Sequence, residues 1–305
     1  MNAAAFTENK IPEGTKIKVC TTELEAGKTI FELEDANHLL GNPEGLRNKL
    51  NQDGYLLLRG FQDRDLVFQA RQEILEELGR LGLLSKDHPV SEGIVGPEKK
   101  GHMFKPETIR TFENYLSVVN SDRIMNLFAQ LYGGPALTYD YKWLRAVPSE
   151  EWTGLHYDIV YMGRGTKNLH TCWTPLDDIP VNMGTLSILL GSQHFDKIRQ
   201  TSGQMDVDRD KIAGWFSNDP LETQKKFGGR WATTNFRAGD VIIFGMYLMH
   251  ASTANQTNKF RLSSDTRYQL ASEPVDERWV GKDLKGHDAK KTLIPMEQAR
   301  AKWGV

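Results

Sequence analysis

The chain of 305 residues is long enough for one large domain or two ordinary ones, and it can bury a sizeable core without covalent staples. A formal net charge of −2, a pI near 6.5 and no basic run beyond isolated pairs such as Lys99–Lys100 and Lys290–Lys291 exclude a general nucleic-acid binder. Two distant cysteines (Cys20 and Cys172), no apolar stretch near membrane-spanning length and no basic-then-apolar N-terminus predict a cytoplasmic protein without disulfide framework or membrane partner.

Residues 1–40 are weakly periodic and predict an extended N-terminal arm with one strand around Thr29–Leu33. Asn42-Pro43 has the residue types of a helix start, an N-cap followed by proline in the first helical position. That helix carries Leu46 and Leu50 on one face and stops at Asp53-Gly54, ahead of a short strand Tyr55–Arg59. From about Asp65, the residues Val67, Ala70, Ile74, Leu78 and Leu81 recur at steps of three and four, which predicts an amphipathic helix. A third helix runs from Ser121 as cap through Ile124, Phe128 and Leu131 to Gly133-Gly134.

Beyond Gly134 the pattern changes. Ala136–Val147, Leu155–Tyr161, Asn168–Leu176, Thr185–Leu190, Asp240–Gly245 and Phe260–Ala271 predict short strands bounded by Gly, Pro, Asn and Asp. A polar, helix-compatible stretch, Asp206–Lys226, interrupts them and holds Trp215. Helices first and strands later, without βαβ alternation or an internal repeat, predict a mainly β, α+β chain: a jelly roll buttressed by N-terminal helices. The jelly-roll domain is expected over residues 41–275, with 276–305 a C-terminal extension packed on it.

Chemistry enters at Leu155-His156-Tyr157-Asp158. Residues two apart in a strand face the same way, so His156 and Asp158 can offer an imidazole and a carboxylate to one ion. A second imidazole completes a two-His, one-carboxylate triad and leaves octahedral positions open, two for a bidentate 2-oxo acid and one for O₂. An H-x-D triplet alone is weak evidence. A second segment strengthens it: Ala238-Gly239-Asp240 feeds the apolar run Val241–Phe244, and His250 follows. Arg261 stands eleven positions after His250, and the turn Ala254–Lys259 would bring it to a neighbouring strand. Its planar fork suits the far carboxylate of a dicarboxylate co-substrate, with Ser252 or Ser263 adding a hydrogen bond.

This order of motifs resembles the phytanoyl-CoA dioxygenase family of iron(II)/2-oxoglutarate oxygenases. Further similar segments are Gly54–Phe61, Thr171-Cys172-Trp173-Thr174 with Asp177-Asp178, Asn182–Leu186 leading to Leu190–His194, and Gly239–Phe244. The similarity spans about residues 40–270, and the ordered combination is more specific than any piece. The resemblance implies a double-stranded β-helix core, Fe(II), 2-oxoglutarate and O₂, and oxidation of a small-molecule substrate, usually by hydroxylation, with release of succinate and CO₂. By position it places Trp173 in the oxoglutarate pocket and Lys105 within reach of the same ligand. Tyr157 stands where the family commonly has Gln, a position the resemblance implies to be in contact with the co-substrate, and Leu190 where it often has Pro. Asp158 argues against the halogenase variant, which has a small residue there.

Other candidates read as structural. His170 and His194 are expected in a strand and a turn, Asp177-Asp178 at a solvated strand end, and Arg237 and Arg267 at surface or strand-end positions. Trp215 suits a loop over the mouth of the site. Two rival readings stay open: a jelly-roll metalloenzyme of non-oxidative chemistry and a small-molecule binding module without activity. The prime substrate and the oligomeric state are not legible.

Overall fold

The computed structural model describes residues 10–212, 215–288 and 293–305. Thirteen strands are assigned among them: β1 (Lys16–Val19), β2 (Thr22–Glu25), β3 (Ile30–Glu32), β4 (Tyr55–Leu58), β5 (His102–Met103), β6 (Ala136–Thr138), β7 (Trp143–Val147), β8 (His170–Pro175), β9 (Leu186–Leu190), β10 (Arg230–Thr233), β11 (Val241–Gly245), β12 (His250–Ser252) and β13 (Arg261–Leu270). The larger sheet runs β4-β11-β8-β13-β7-β5, with β6 paired to the far part of β13. The smaller runs β12-β9-β10-β3, antiparallel except for the β10–β3 pair. The two sheets face each other as a double-stranded β-helix.

Side-chain alternation builds the layers. Leu57, Trp173, Ile242 and Phe244 of the larger sheet point inward and pack with Leu186, Ile188, Ala232 and Phe236 between the sheets. Their neighbours Leu56, Leu58, Cys172 and Ile243 point outward, onto Leu46 and Leu50 of the helix Pro43–Asp53 and Ile124, Leu127 and Phe128 of the helix Asp122–Tyr132. A second outer cluster seats the helix Arg64–Arg80, through Val67, Ala70, Ile74 and Leu78, on Leu144, Ala146 and Leu262. The helices therefore cover one face of the larger sheet, and the other face is left to form the site.

The helix starts match their capping residues. Asn42, Asp63 and Ser121 accept hydrogen bonds from Gly45, Leu66 and Ile124 respectively. Gly54, at φ 81°, ends the first helix in the left-handed region. Leu81 leaves the predicted apolar stripe, being 41 % exposed just past the helix end.

Other expectations change. The N-terminal segment is no detached arm: β1 and β2 form a hairpin tied to Ser252 and Thr253, and β3 is the edge strand of the smaller sheet. The predicted strand 136–147 breaks at 139–142, where the buried Lys142 ammonium donates to Thr138 Oγ1 and the Tyr139 carbonyl. Only Leu155 and His156 of the predicted strand 155–161 are bridged, and Ile159–Met162 turns into a short helix. In the C-terminal segment, Trp279, Met296 and Ala299 belong to the core. No helix of the described residues is long and apolar enough to cross a membrane.

Asp240 links β4 to the entry of β11. Its buried carboxylate accepts from the Gly60 and Arg237 amides at 2.9 Å and from Arg59 Nη1 at 2.7 Å. Removing it leaves two amides without their acceptor and takes from Arg59 its close counter-charge, leaving it the Asn235 carbonyl, Thr234 Oγ1 and Glu32 at 4.0 Å. Asp240→Ala is expected to lower stability by about 3–5 kcal/mol, read as a lower urea midpoint at unchanged denaturant slope.

Candidate metal centre

The three predicted ligands come from two adjacent pieces of chain. His156 and His250 form an antiparallel bridge, each amide donating to the other's carbonyl at 3.0 and 3.1 Å. This sets the imidazoles side by side, with ring centroids 4.2 Å apart. Asp158 reaches the same point although it sits at the start of the short helix with φ −65° and ψ −27°. Helical backbone here replaces the strand alternation expected to align it with His156. One ligand atom from each residue lies within 4.8 Å of the other two, and all three residues are buried.

Each ligand is oriented by its remaining polar atoms. Nδ1 of His156 meets the Gly154 carbonyl at 2.8 Å, and Nδ1 of His250 meets the Leu248 carbonyl at 2.9 Å. A carbonyl can only accept, so each Nδ1 carries the proton and each Nε2 presents its lone pair. Burial, with His250 alongside, pushes the His156 imidazole down to about 3, which keeps it neutral as a ligand must be. The Asp158 Oδ1 atom lies 3.8 Å from both Nε2 atoms. Its Oδ2 turns away, accepting from Thr171 Oγ1 at 2.5 Å and pairing with Arg267 Nη2 at 3.1 Å. Burial alone would raise this carboxyl; Arg267, the imidazoles and Thr171 overcome it and hold it well below the usual range.

The ligands open on a cavity also lined by Trp173, Ser252 and Arg261. Arg261 is buried, donates from Nη1 to Ser263 Oγ, and leaves Nε without a partner. Burial brings its guanidinium down to about 10, still charged at neutral pH, and no carboxylate of the described residues pairs with it. Ser252 Oγ accepts from the Thr153 amide at 2.8 Å, leaving its hydroxyl proton to donate. Trp173 stands edge-on to Phe236 with centroids 4.7 Å apart. These residues fit a divalent ion beside a dicarboxylate: three oriented donors, and a buried cation awaiting an anion.

Two expected co-substrate contacts are corrected. Tyr157 lies between two inward ligands and so points the other way, its hydroxyl donating to the Ser192 carbonyl at 2.7 Å in the core. Lys105 is exposed, just before the helix Pro106–Ile109, and lines no part of this cavity.

Sequence reasoning missed Arg267, Thr171, Arg145 and Asp265. Arg267 is 3 % exposed, not at the surface, and lies over the Trp143 ring at 4.7 Å. Arg145 donates from Nε to Asp265 at 3.1 Å on the cavity wall. The signal was present in alternation: Arg261, Ser263, Asp265 and Arg267 occupy every second position of β13 and share its inner face.

The orienting role of Oδ2 has a measurable consequence. Thr171→Val and Arg267→Met are each expected to weaken iron(II) binding by about 10- to 100-fold, with Tyr157→Phe unchanged, in anaerobic equilibrium titration.

Comparisons with known proteins agree with this geometry. The chain is 23 % identical over 254 residues to the 1-deoxypentalenic acid 11-beta-hydroxylase of Streptomyces exfoliatus, covering 80 % of this chain and 87 % of that protein. Among solved structures, the epimerase SnoN from nogalamycin biosynthesis, crystallised with Fe3+, alpha ketoglutarate and nogalamycin RO, matches at TM-score 0.55 and 21 % identity, over 84 % of this chain and 98 % of its own. EctD from S. alaskensis, with 2-oxoglutarate and 5-hydroxyectoine, matches at TM-score 0.54 and 16 % identity, over 88 % and 94 %. The family pattern of phytanoyl-CoA dioxygenase (PhyH) matches residues 50–263, well over half of the chain, and the protein belongs to that family of iron- and 2-oxoglutarate-dependent oxygenases.

Proposed function

We propose that His156, Asp158 and His250 hold iron(II), that Arg261 with Ser252 and Ser263 holds 2-oxoglutarate, and that the enzyme hydroxylates a small organic molecule. One observation carries this reading: three oriented ligand atoms and a buried, unpaired guanidinium open on the same cavity. When bound, the iron and co-substrate supply oxidative decarboxylation to succinate and CO₂, coupled to transfer of one oxygen atom from O₂ to the substrate. The relatives support the small-molecule assignment, since one is named for hydroxylating 1-deoxypentalenic acid.

The chain's own residues bind, orient and shield. The Gly154 and Leu248 carbonyls hold Nδ1 of both histidines, so neither ring has to rotate for its Nε2 to become a ligand. Thr171 and Arg267 keep Asp158 ionised and aimed through Oδ1. Arg261 offers its fork to the co-substrate's far carboxylate, and the Ser252 and Ser263 hydroxyls donate beside it. Trp173 and Leu186 exclude water from one wall. The buried, unpaired Arg261 weighs against a non-oxidative metalloenzyme or a binding module for a neutral molecule, neither of which would supply the anion it lacks. The two buried free cysteines support a reducing, cytoplasmic setting.

Anaerobic Fe(II) and 2-oxoglutarate are expected to give a visible charge-transfer band with the folded protein; iron-loaded protein without it overturns the reading. Arg261→Ala is expected to weaken 2-oxoglutarate by about 2–5 kcal/mol, roughly 30-fold or more, with iron affinity retained. Loss of iron instead would reassign Arg261.

A further inference from the structure

The space directly beside the three ligands is small, about 40 Å³. Next to it lies a cavity of about 420 Å³ between β5, β7, the loop leading to His156, and Trp215. That is the size of a small-molecule site. Arg145 and Thr153 line both spaces, so the larger opens towards the metal centre at those residues.

The polar groups of this second cavity are mostly donors. Arg145 is anchored only at Nε, by Asp265, and its two terminal amino groups make no hydrogen bond with the described residues. Trp152 lines the cavity with its ring, its indole N–H being buried away from the open space. Lys100 and His102 stand on the rim, against one acidic group, Glu151. The aromatic surface is substantial: Trp152 forms one wall, and Trp215 lies so close over Gly154 that an added Cβ there would meet its ring at 2.7 Å. Charge counting points the same way and rests on the proposed function above. Arg145, Arg261 and Arg267 face Asp158 and Asp265, while divalent iron and dianionic 2-oxoglutarate cancel each other. The sum over these groups leaves one positive charge.

We propose that this cavity binds the substrate to be oxidised, and that this substrate is an apolar-bodied monocarboxylate whose carboxylate is held by the two terminal amino groups of Arg145. Its body lies against Trp152 and Trp215, with the reacting carbon directed past Thr153 to the metal centre. Arg145 is thereby a specificity-determining residue, fixed by Asp265 so that its outer fork faces the substrate. A neutral molecule of the same shape would leave that fork desolvated and without its anion, which sets the discrimination.

The test uses full-length protein loaded anaerobically with Fe(II) and 2-oxoglutarate. Benzoate, cyclohexanecarboxylate and adamantane-1-carboxylate are titrated beside their primary alcohols, following tryptophan fluorescence and the visible band. At least one acid is expected to bind about 10- to 100-fold tighter than its alcohol. Arg145→Gln is expected to remove that preference while the alcohol affinity and the band persist. Equal binding of acids and alcohols, or no binding of any, overturns the proposal. So does loss of 2-oxoglutarate binding in Arg145→Gln, which would assign Arg145 to the co-substrate. Absence of the band in unsubstituted protein is a different failure, that of the underlying oxygenase reading.

Discussion

The structure depends on keeping one carboxylate charged inside the protein. Asp158 is 3 % exposed, and an isolated ionised carboxylate there would be protonated or would cost many kcal/mol. Arg267 and Thr171 satisfy Oδ2, which leaves Oδ1 as the only face available to an ion. The pairing carries its own demand, since Arg267 is itself buried and must be placed. It comes from β13, crosses the sheet opposite Thr171 of β8, and rests on Trp143 of β7. One carboxylate thus fixes what three adjacent strands must present on their inner faces.

The same strand supplies the rest of the site. Period-two alternation along β13 sets Arg261, Ser263, Asp265 and Arg267 in one inward row. The row runs from Arg261 at one end to Arg267, behind Asp158, at the other. Opposite residues obey the same register: Arg145 pairs with Ser263, Trp173 with Asp265, Thr171 with Arg267. A register slip of one residue would turn all of these outward and bring Leu262, Ser264, Thr266 and Tyr268 into the site. Register is held from outside, where Tyr268 stacks on Phe128 with centroids 4.0 Å apart and Leu262 packs beneath the helix Arg64–Arg80. The N-terminal helices therefore serve the chemistry without touching it.

Most of this arrangement was legible where local chemistry and final geometry agree. The capping residues Asn42 and Ser121 and the left-handed Gly54 state their roles in the residue type, and the major strands show in apolar runs bounded by turn formers. His156, Asp158, His250 and Arg261 were legible as spaced, chemically distinct residues, and the fold brings them together. What escaped was set by non-local packing. Arg267 was read as a surface residue because burial of charge is uncommon, and only the carboxylate across the sheet makes it affordable. Lys105 was drawn in by its position in the family resemblance, although its place at an exposed helix start keeps it away. The strands β1, β2 and β10 are too short and mixed to stand out, and they form because an existing sheet edge or hairpin partner completes their backbone bonds.

Arg261 remains the least comfortable residue in the protein, and that is informative. Asp158 has its counter-charge within the chain, whereas Arg261 is buried with one serine and an idle Nε. A buried charge without a partner lowers stability, so its retention requires something that arrives later. On the proposed function the co-substrate anion recovers that deficit, which makes folding stability and co-substrate binding two views of one coupling. The metal ligands show the opposite economy: their orienting bonds are complete before any ion enters. One half of the site is thus finished by the fold and the other half by its ligand, as expected where the metal stays through turnover and the dicarboxylate is consumed in each cycle.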